Sequence, residues 1–100
     1  MLSKYLDKEK IIKAYISDQV WLDEIENQLS KIDSDNEEEM NTRRNAFQLI
    51  QMLYKMNYII CQMADTDYTG KYYDRAYELQ REMQIDLTKI LGIEDIWEEM

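Results

Sequence analysis

The sequence has no proline, no histidine, one cysteine and only two glycines, Gly70 and Gly92, in 100 residues. Each shortage excludes something. A β-rich domain of this size needs many turn residues, so the lack of proline and glycine points to a few long helices joined by short loops. Without histidine, the Ser-His and Cys-His nucleophile arrangements and His-based zinc sites are ruled out. A lone Cys61 makes no internal disulfide and gives no secreted-type framework. No long uninterrupted apolar run is present either: residues 46–64 are broken by Gln48, Gln51, Lys55, Asn57 and Gln62. The first residues carry charges every few positions, unlike a signal peptide. The expectation is a soluble cytoplasmic protein.

What is present is apolar content and acid. Hydrophobic residues make up 45% of the chain, enough for one modest core, so residues 1–100 are expected to form a single helical domain. The net charge is −9 and is unevenly spread. Residues 18–39 carry nine acids against one base, Lys31, and residues 94–100 add four acids and no base. Such a field repels nucleic acid and anionic membranes and steers basic partners inward. The one adjacent basic pair, Arg43–Arg44, is a poor footprint for direct DNA binding.

Apolar spacing predicts three helices. The first runs over about 7–32, with Asp7 as N-cap and a stripe through Ile11, Ile12, Tyr15, Leu22, Ile25, Leu29 and Ile32. Asp18 interrupts this stripe, which points to a kink or a partly exposed stretch near 17–19. The second runs over about 37–64, capped by Asp35 or Asn36 with Glu37, Glu38 and Glu39 in its first turn. It is apolar on nearly all sides, which makes it the central element or the contact of a homodimer. The third runs over about 68–91 and ends at Gly92, where a left-handed cap favours glycine. The acidic tail 94–100 is expected to form a short turn that docks Ile96 and Trp97. The fold expected is all-α: a compact antiparallel three-helix bundle with a short fourth C-terminal helical turn. Its core is drawn from Ile12, Tyr15, Leu22, Ile25, Leu29, Phe47, Ile50, Leu53, Ile60, Met83, Leu87 and Ile90.

The stretch "ADTDYTGKYYD", 64–74, contains two candidate motifs. Asp65, Asp67 and Thr69 resemble the D-x-D-x-T nucleophile motif of haloacid dehalogenase-type phosphatases. That motif ends a buried strand, whereas the residues before Asp65 read as helix. Asp65, Asp67, Thr69 and Gly70 also resemble the first half of an EF-hand calcium loop. Its twelfth position falls on Ala76, which has no ligand oxygen. Residues 70–87 resemble the second helix of a tetratricopeptide unit in their Gly, Tyr and Ala, a unit that needs stacked neighbours. The reading that accounts for every residue of 64–74 is a turn between two helices, with short oxygens satisfying orphan amides. Cys61, set among Ile59, Ile60 and Met63, reads as an inert buried thiol. No enzyme, metal or cofactor is expected.

Two surfaces remain as candidate binding sites. The first is acidic: Asp23, Glu24, Glu26, Asp33, Asp35, Glu37, Glu38 and Glu39, with Trp97, Glu98 and Glu99 as a second patch. Trp21 and Trp97 would supply hydrophobic anchors beside these acids. Phage-encoded inhibitors of restriction, CRISPR effectors or transcription enzymes, and immunity proteins for toxic nucleases, are similar in composition: small, acidic and without catalytic residues. That resemblance implies a protein partner with a basic surface and no direct nucleic acid or membrane contact. The alternative surface is aromatic, with Tyr54, Tyr58 and Tyr72 as contacts of a helical adaptor.

Overall fold

The computed structural model describes residues 1–66 and 70–100. A 3-10 turn at Leu2–Tyr5 leads into four α-helices: α1 (Lys8–Lys13), α2 (Asp18–Ser30), α3 (Glu37–Asp65) and α4 (Lys71–Leu91). A second 3-10 turn, Glu94–Glu98, closes the chain. The all-α class and the short C-terminal turn are as expected, and no strand occurs among the described residues.

The helix expected over 7–32 is instead a helical hairpin. The backbone N–H of Asp7 donates to Gln28 Oε1 at 2.7 Å, and the Gln28 amide donates back to the Asp7 carbonyl at 3.2 Å. In one continuous helix these residues would lie about 31 Å apart, at 1.5 Å of rise per residue. The reversal occurs at 14–17. Ser17 adopts an extended backbone (φ −151°, ψ 163°), and its hydroxyl accepts from Val20 N–H at 3.1 Å. A short hydroxyl side chain offers the backbone this N-cap in place of a further helical turn. Ile16, at the tip of the reversal, is left 82% exposed.

The other ends follow the expected chemistry more closely. Asn36 caps α3 by accepting from Glu39 N–H, with Glu37 and Glu38 in the first turn. Gly92 takes φ +73° after α4. Ile93 N–H then bonds the Thr88 carbonyl and Gly92 N–H bonds that of Lys89, a Schellman closure with Ile93 fully buried. The start expected at Tyr68, and Asp67 and Thr69 of the interhelical turn, lie outside the described residues. The EF-hand and phosphatase readings, which need both, therefore lie outside them too.

α2 packs antiparallel to α3, with Tyr54 beside Asp23 and Arg43 reaching the Leu29 carbonyl. α3 and α4 form a long antiparallel pair, with Asn57 beside Gln80. Leu22, Ile25, Leu29, Ile50, Leu53 and Leu87 form the centre of the core, as the spacing predicts. Trp21, Ile32 and Ala46 enlarge it, and Leu2, Ile11, Leu91, Ile93 and Ile96 complete it from the two ends of the chain. Ile12, Tyr15, Phe47 and Met83 only flank this cluster, Ile60 is buried outside it, and Ile90 is exposed. The Lys8–Asp95 ion pair, at 2.9 Å, ties α1 to the C-terminal turn.

Helix lengths leave one region uncovered. At 1.5 Å per residue, the 29 residues of α3 span about 43 Å and the 13 residues of α2 only about 20 Å. α2 shields the first half of α3. Past the start of α2, α3 runs on beside α4 with no third helix over it among the described residues. Among the described residues, no helix is long and apolar enough to cross a membrane.

Candidate interaction surfaces

The acids of 18–39 separate into three kinds once the chain is folded. Asp18 and Glu39 are used internally. Asp18 Oδ1 accepts from the Tyr15 hydroxyl at 3.2 Å and from the Gln84 amide at 2.9 Å, fixing the start of α2 against α4. Glu39 is buried. Its Oε1 accepts from Ser34 Oγ (3.0 Å) and from the Tyr5 hydroxyl (3.2 Å), and Lys4 Nζ lies 3.4 Å from Oε2. Burial alone would raise the Glu39 pKa. The hydrogen bonds from Ser34 and Lys4, the Lys4 charge and the Tyr5 hydroxyl outweigh it, and the value falls below the usual glutamate range. Glu39 is thus a latch between the N-terminal turn and α3, with little carboxylate left for a partner.

Asp23, Glu24 and Glu26 hold local hydrogen bonds yet keep free oxygens. The Tyr54 hydroxyl donates to Asp23 Oδ1 at 2.6 Å and reaches Glu26 Oε1 at 3.5 Å. Gln28 donates to Glu24 Oε2 at 3.2 Å. Asp33, Asp35, Glu37 and Glu38 form the third kind: all four are exposed on the α2–α3 loop and the first turn of α3. No salt bridge engages Asp23, Glu24, Glu26, Asp33, Asp35, Glu37 or Glu38 among the described residues. The nearest arginine in sequence, Arg43, is occupied elsewhere. Its Nε donates to the Leu29 carbonyl at 2.8 Å, satisfying an orphan acceptor at the end of α2, and its guanidinium stacks on Phe47.

The tryptophans are not surface anchors. Trp21 is fully buried, and Trp97 packs against the core. Tyr15, Trp21 and Trp97 form an aromatic cluster, with centroids 5.7 Å apart for Tyr15–Trp21, 6.0 Å for Tyr15–Trp97 and 5.4 Å for Trp21–Trp97. Trp97 Nε1 donates to Thr88 Oγ1 at 2.8 Å, and Arg81 covers its ring. Trp21 Nε1 finds no hydrogen-bond partner. Glu98 and Glu99 remain exposed beside this docked turn. Their neighbour Trp97 is half-buried against the core and, with the exposed Met100, lines a shallow depression beside Arg81.

The tyrosine surface is where the uncovered half of α3 lies. Tyr58 is 66% exposed, with Met52 and Ile59 also open to solvent. A groove of about 570 Å³ runs between α3 and α4 beside the start of α2. Tyr54, Tyr58 and Ile60 supply its α3 wall, Tyr77 and Gln80 its α4 wall, and Asp18 its end. Cys61 lines it too, and is exposed, contrary to the buried thiol expected. Tyr54 is driven well above the ordinary tyrosine pKa, by burial first and then by its bond to Asp23. The Tyr77 hydroxyl is pushed up to about 12, mainly by its contact with the Tyr73 hydroxyl at 3.3 Å and then by burial. Both phenols therefore stay neutral donors at physiological pH. Tyr72 is exposed on the first turn of α4, with Lys71 over its ring, and lies outside the groove.

Sequence reasoning missed a row of buried polar residues on α4, of which Gln80, with Asn57, forms the groove's polar floor. Gln80, Gln84 and Thr88 are all buried, four residues apart on one face of α4. Each has a partner: Gln80 donates to Asn57, Gln84 to Asp18, and Thr88 accepts from Trp97. The four-residue repeat, in register with Ala76, Leu87 and Leu91, was visible as a polar stripe on the inward side. Comparison with protein families, with curated proteins and with solved structures finds no match to this chain.

Proposed function

We propose that this chain is a non-catalytic binding protein. Its acidic face occupies a basic groove of a nucleic-acid-handling protein, as a nucleic-acid mimic of the anti-restriction or anti-CRISPR kind would. The observation that supports this reading is the set Asp23, Glu24, Glu26, Asp33, Asp35, Glu37 and Glu38, held on α2, a short loop and the start of α3 without a pairing cation among the described residues. Carboxylates left unpaired on rigid elements keep their field for a partner, speed encounter and disfavour partners of like charge. Five of them, Asp23, Asp33, Asp35, Glu37 and Glu38, are exposed, so a basic groove meets them without rearrangement of the core.

Affinity capture from a bacterial lysate tests this, comparing the wild type with a variant carrying Asp33→Lys, Asp35→Lys, Glu37→Lys and Glu38→Lys. A nucleic-acid enzyme held by the wild type at about 50 mM salt, released at about 500 mM and not held by the variant supports the proposal. A partner held equally by both proteins contradicts it. A second reading, a helical adaptor or immunity protein, draws on the exposed Met52, Tyr58 and Ile59. It expects salt-tolerant capture that is lost on Tyr58→Ala.

A further inference from the structure

We infer that the groove between α3 and α4, beside the start of α2, receives an amphipathic helix from the basic partner, with the partner's lysine or arginine side chains meeting Asp18 and Asp23. The inference rests on the acidic-partner reading above and assigns it a second contact.

The shape of the site favours a helix. α2 begins only at Asp18, while its neighbours α3 and α4 extend past that point as an antiparallel pair, to Asp65 and from Lys71. The groove therefore occupies the position that a longer α2 would fill, the third place of a three-helix bundle. Its α3 wall, Tyr54 to Cys61, runs about 10 Å, two helical turns. That length accepts anchors at i, i+3 or i+4 and i+7 of a docked helix. Both long walls are helices whose backbone groups bond within themselves, so no open edge is offered to an added strand. The polar floor is already satisfied, since Gln80 donates to Asn57 and Gln84 to Asp18. An apolar anchor over Ile60 and Tyr58 thus strands no buried polar group.

Charge selects the occupant. Among the described residues, Asp18 is the charged member of the groove lining; its Oδ1 is held by Tyr15 and Gln84, and Oδ2 is the oxygen a partner's cation would meet. At that end, Asp23 and Glu26 are joined to the groove through the Tyr54 hydroxyl. The base in the adjoining depression, Lys55, lies across the ridge of Tyr54 and Tyr58. A second copy of the chain carries −9 and, in a two-fold contact, sets the same acids against each other. A helix with a cationic polar face meets opposite charge there, and that face also suits the seven acids along α2 and the loop.

The test uses the full chain, isotope-labelled for NMR, and three synthetic peptides of about 18 residues, long enough to form a helix on binding. One is an amphipathic Leu/Lys helix, one is its scrambled isomer, and one replaces every Lys with Glu. The expected result is that the Leu/Lys helix shifts the amides of Asn57, Tyr58, Cys61, Tyr77 and Gln80. Scrambling, Lys-to-Glu replacement or the exposed-site variant Tyr58→Ala should each weaken binding about tenfold or more. Equal binding of the scrambled isomer, with shifts confined to 33–38, overturns the groove and leaves the acidic face standing. Equal binding of the Glu peptide overturns the charge assignment. Failure of both basic peptides overturns groove and acidic face together. Shifts of the groove amides on simple dilution of the chain would make a second copy the occupant and overturn the inference.

Discussion

Replacing Trp21 separates a core residue from a surface anchor. Its side chain is fully buried, and its ring packs edge-on to Tyr15 and tilted against Trp97. Truncating a buried Trp to Ala costs about 3–5 kcal/mol through lost burial and the cavity left behind. One feature offsets part of this: the Nε1–H is buried with no partner, and removing such a donor returns roughly 1–3 kcal/mol. The net expectation for Trp21→Ala is a loss of about 2 kcal/mol. A 100-residue domain holds only roughly 5–15 kcal/mol. At about 4–8 °C per kcal/mol, the midpoint should fall by at least roughly 8 °C. Trp21→Phe keeps a ring and discards the orphan donor, so its cost should be under about 2 kcal/mol. Urea unfolding followed by far-UV circular dichroism measures both variants. A loss below about 0.5 kcal/mol for Trp21→Ala, the range of ordinary surface changes, would refute the packing argument.

The phenols give a spectroscopic check. Tyr15, Tyr54 and Tyr77 all titrate above the ordinary tyrosine value, for reasons led by burial in Tyr15 and Tyr54 and by the Tyr73 hydroxyl in Tyr77. Their folded values are raised, so the stability they contribute is complete below about pH 10 and is lost as pH rises through the folded values. Ultraviolet titration of Tyr54→Phe should lose a late-ionising phenol; loss of an early one contradicts the Asp23 contact. On the acid side, Glu39 and Asp95 are lowered. For Glu39 the bonds and charge overcome desolvation, and for Asp95 the leading cause is its hydrogen bond from Lys8. Their contribution is present above the ordinary carboxylate range and is lost as pH falls through the lowered folded values. Glu39→Gln with Asp95→Asn should therefore flatten the decline of urea midpoint between about pH 5 and pH 2, and an unchanged slope would contradict both latches. Gly92→Ala should destabilise by about 1–2 kcal/mol, because φ is +73° there. Its new Cβ would meet Met1 Cε at 2.8 Å, but the exposed Met1 side chain can swing aside. Gly92→Asn, which tolerates that backbone better, should cost less in the same urea unfolding measurement.

Periodicity made the long helices legible, because Ile50 and Leu53 on α3 and Leu87 and Leu91 on α4 sit at helical spacing and lie in the core. The cap residues Asp7, Asn36 and Gly92 were equally readable. The reversal at Ser17 was not. The apolar spacing of 11–32 fits one helix as well as two; the interruption at Asp18 marked the place, but the full reversal is seen only in the extended Ser17 backbone and the contact between Asp7 and Gln28. The fates of Glu39 and Trp21 were hidden for a related reason. Each is decided by residues distant in sequence: Tyr5 and Lys4 for the first, Trp97 for the second. The groove depends on a difference in helix length, which emerges only after α2 is seen to begin at Asp18. An acidic surface was legible from composition, but which of its acids stay unpaired was not.

Competition most directly tests the central claim that the acidic face takes the place of nucleic acid on a basic partner. A fluorescent DNA duplex is bound to the captured enzyme, and the chain is titrated in while anisotropy is followed at low and at high salt. The account predicts full displacement of the duplex at low salt, weakened steeply by added salt and abolished by the four Lys substitutions at 33, 35, 37 and 38. A stable three-part complex that retains the duplex, or displacement unaffected by those substitutions, would contradict it.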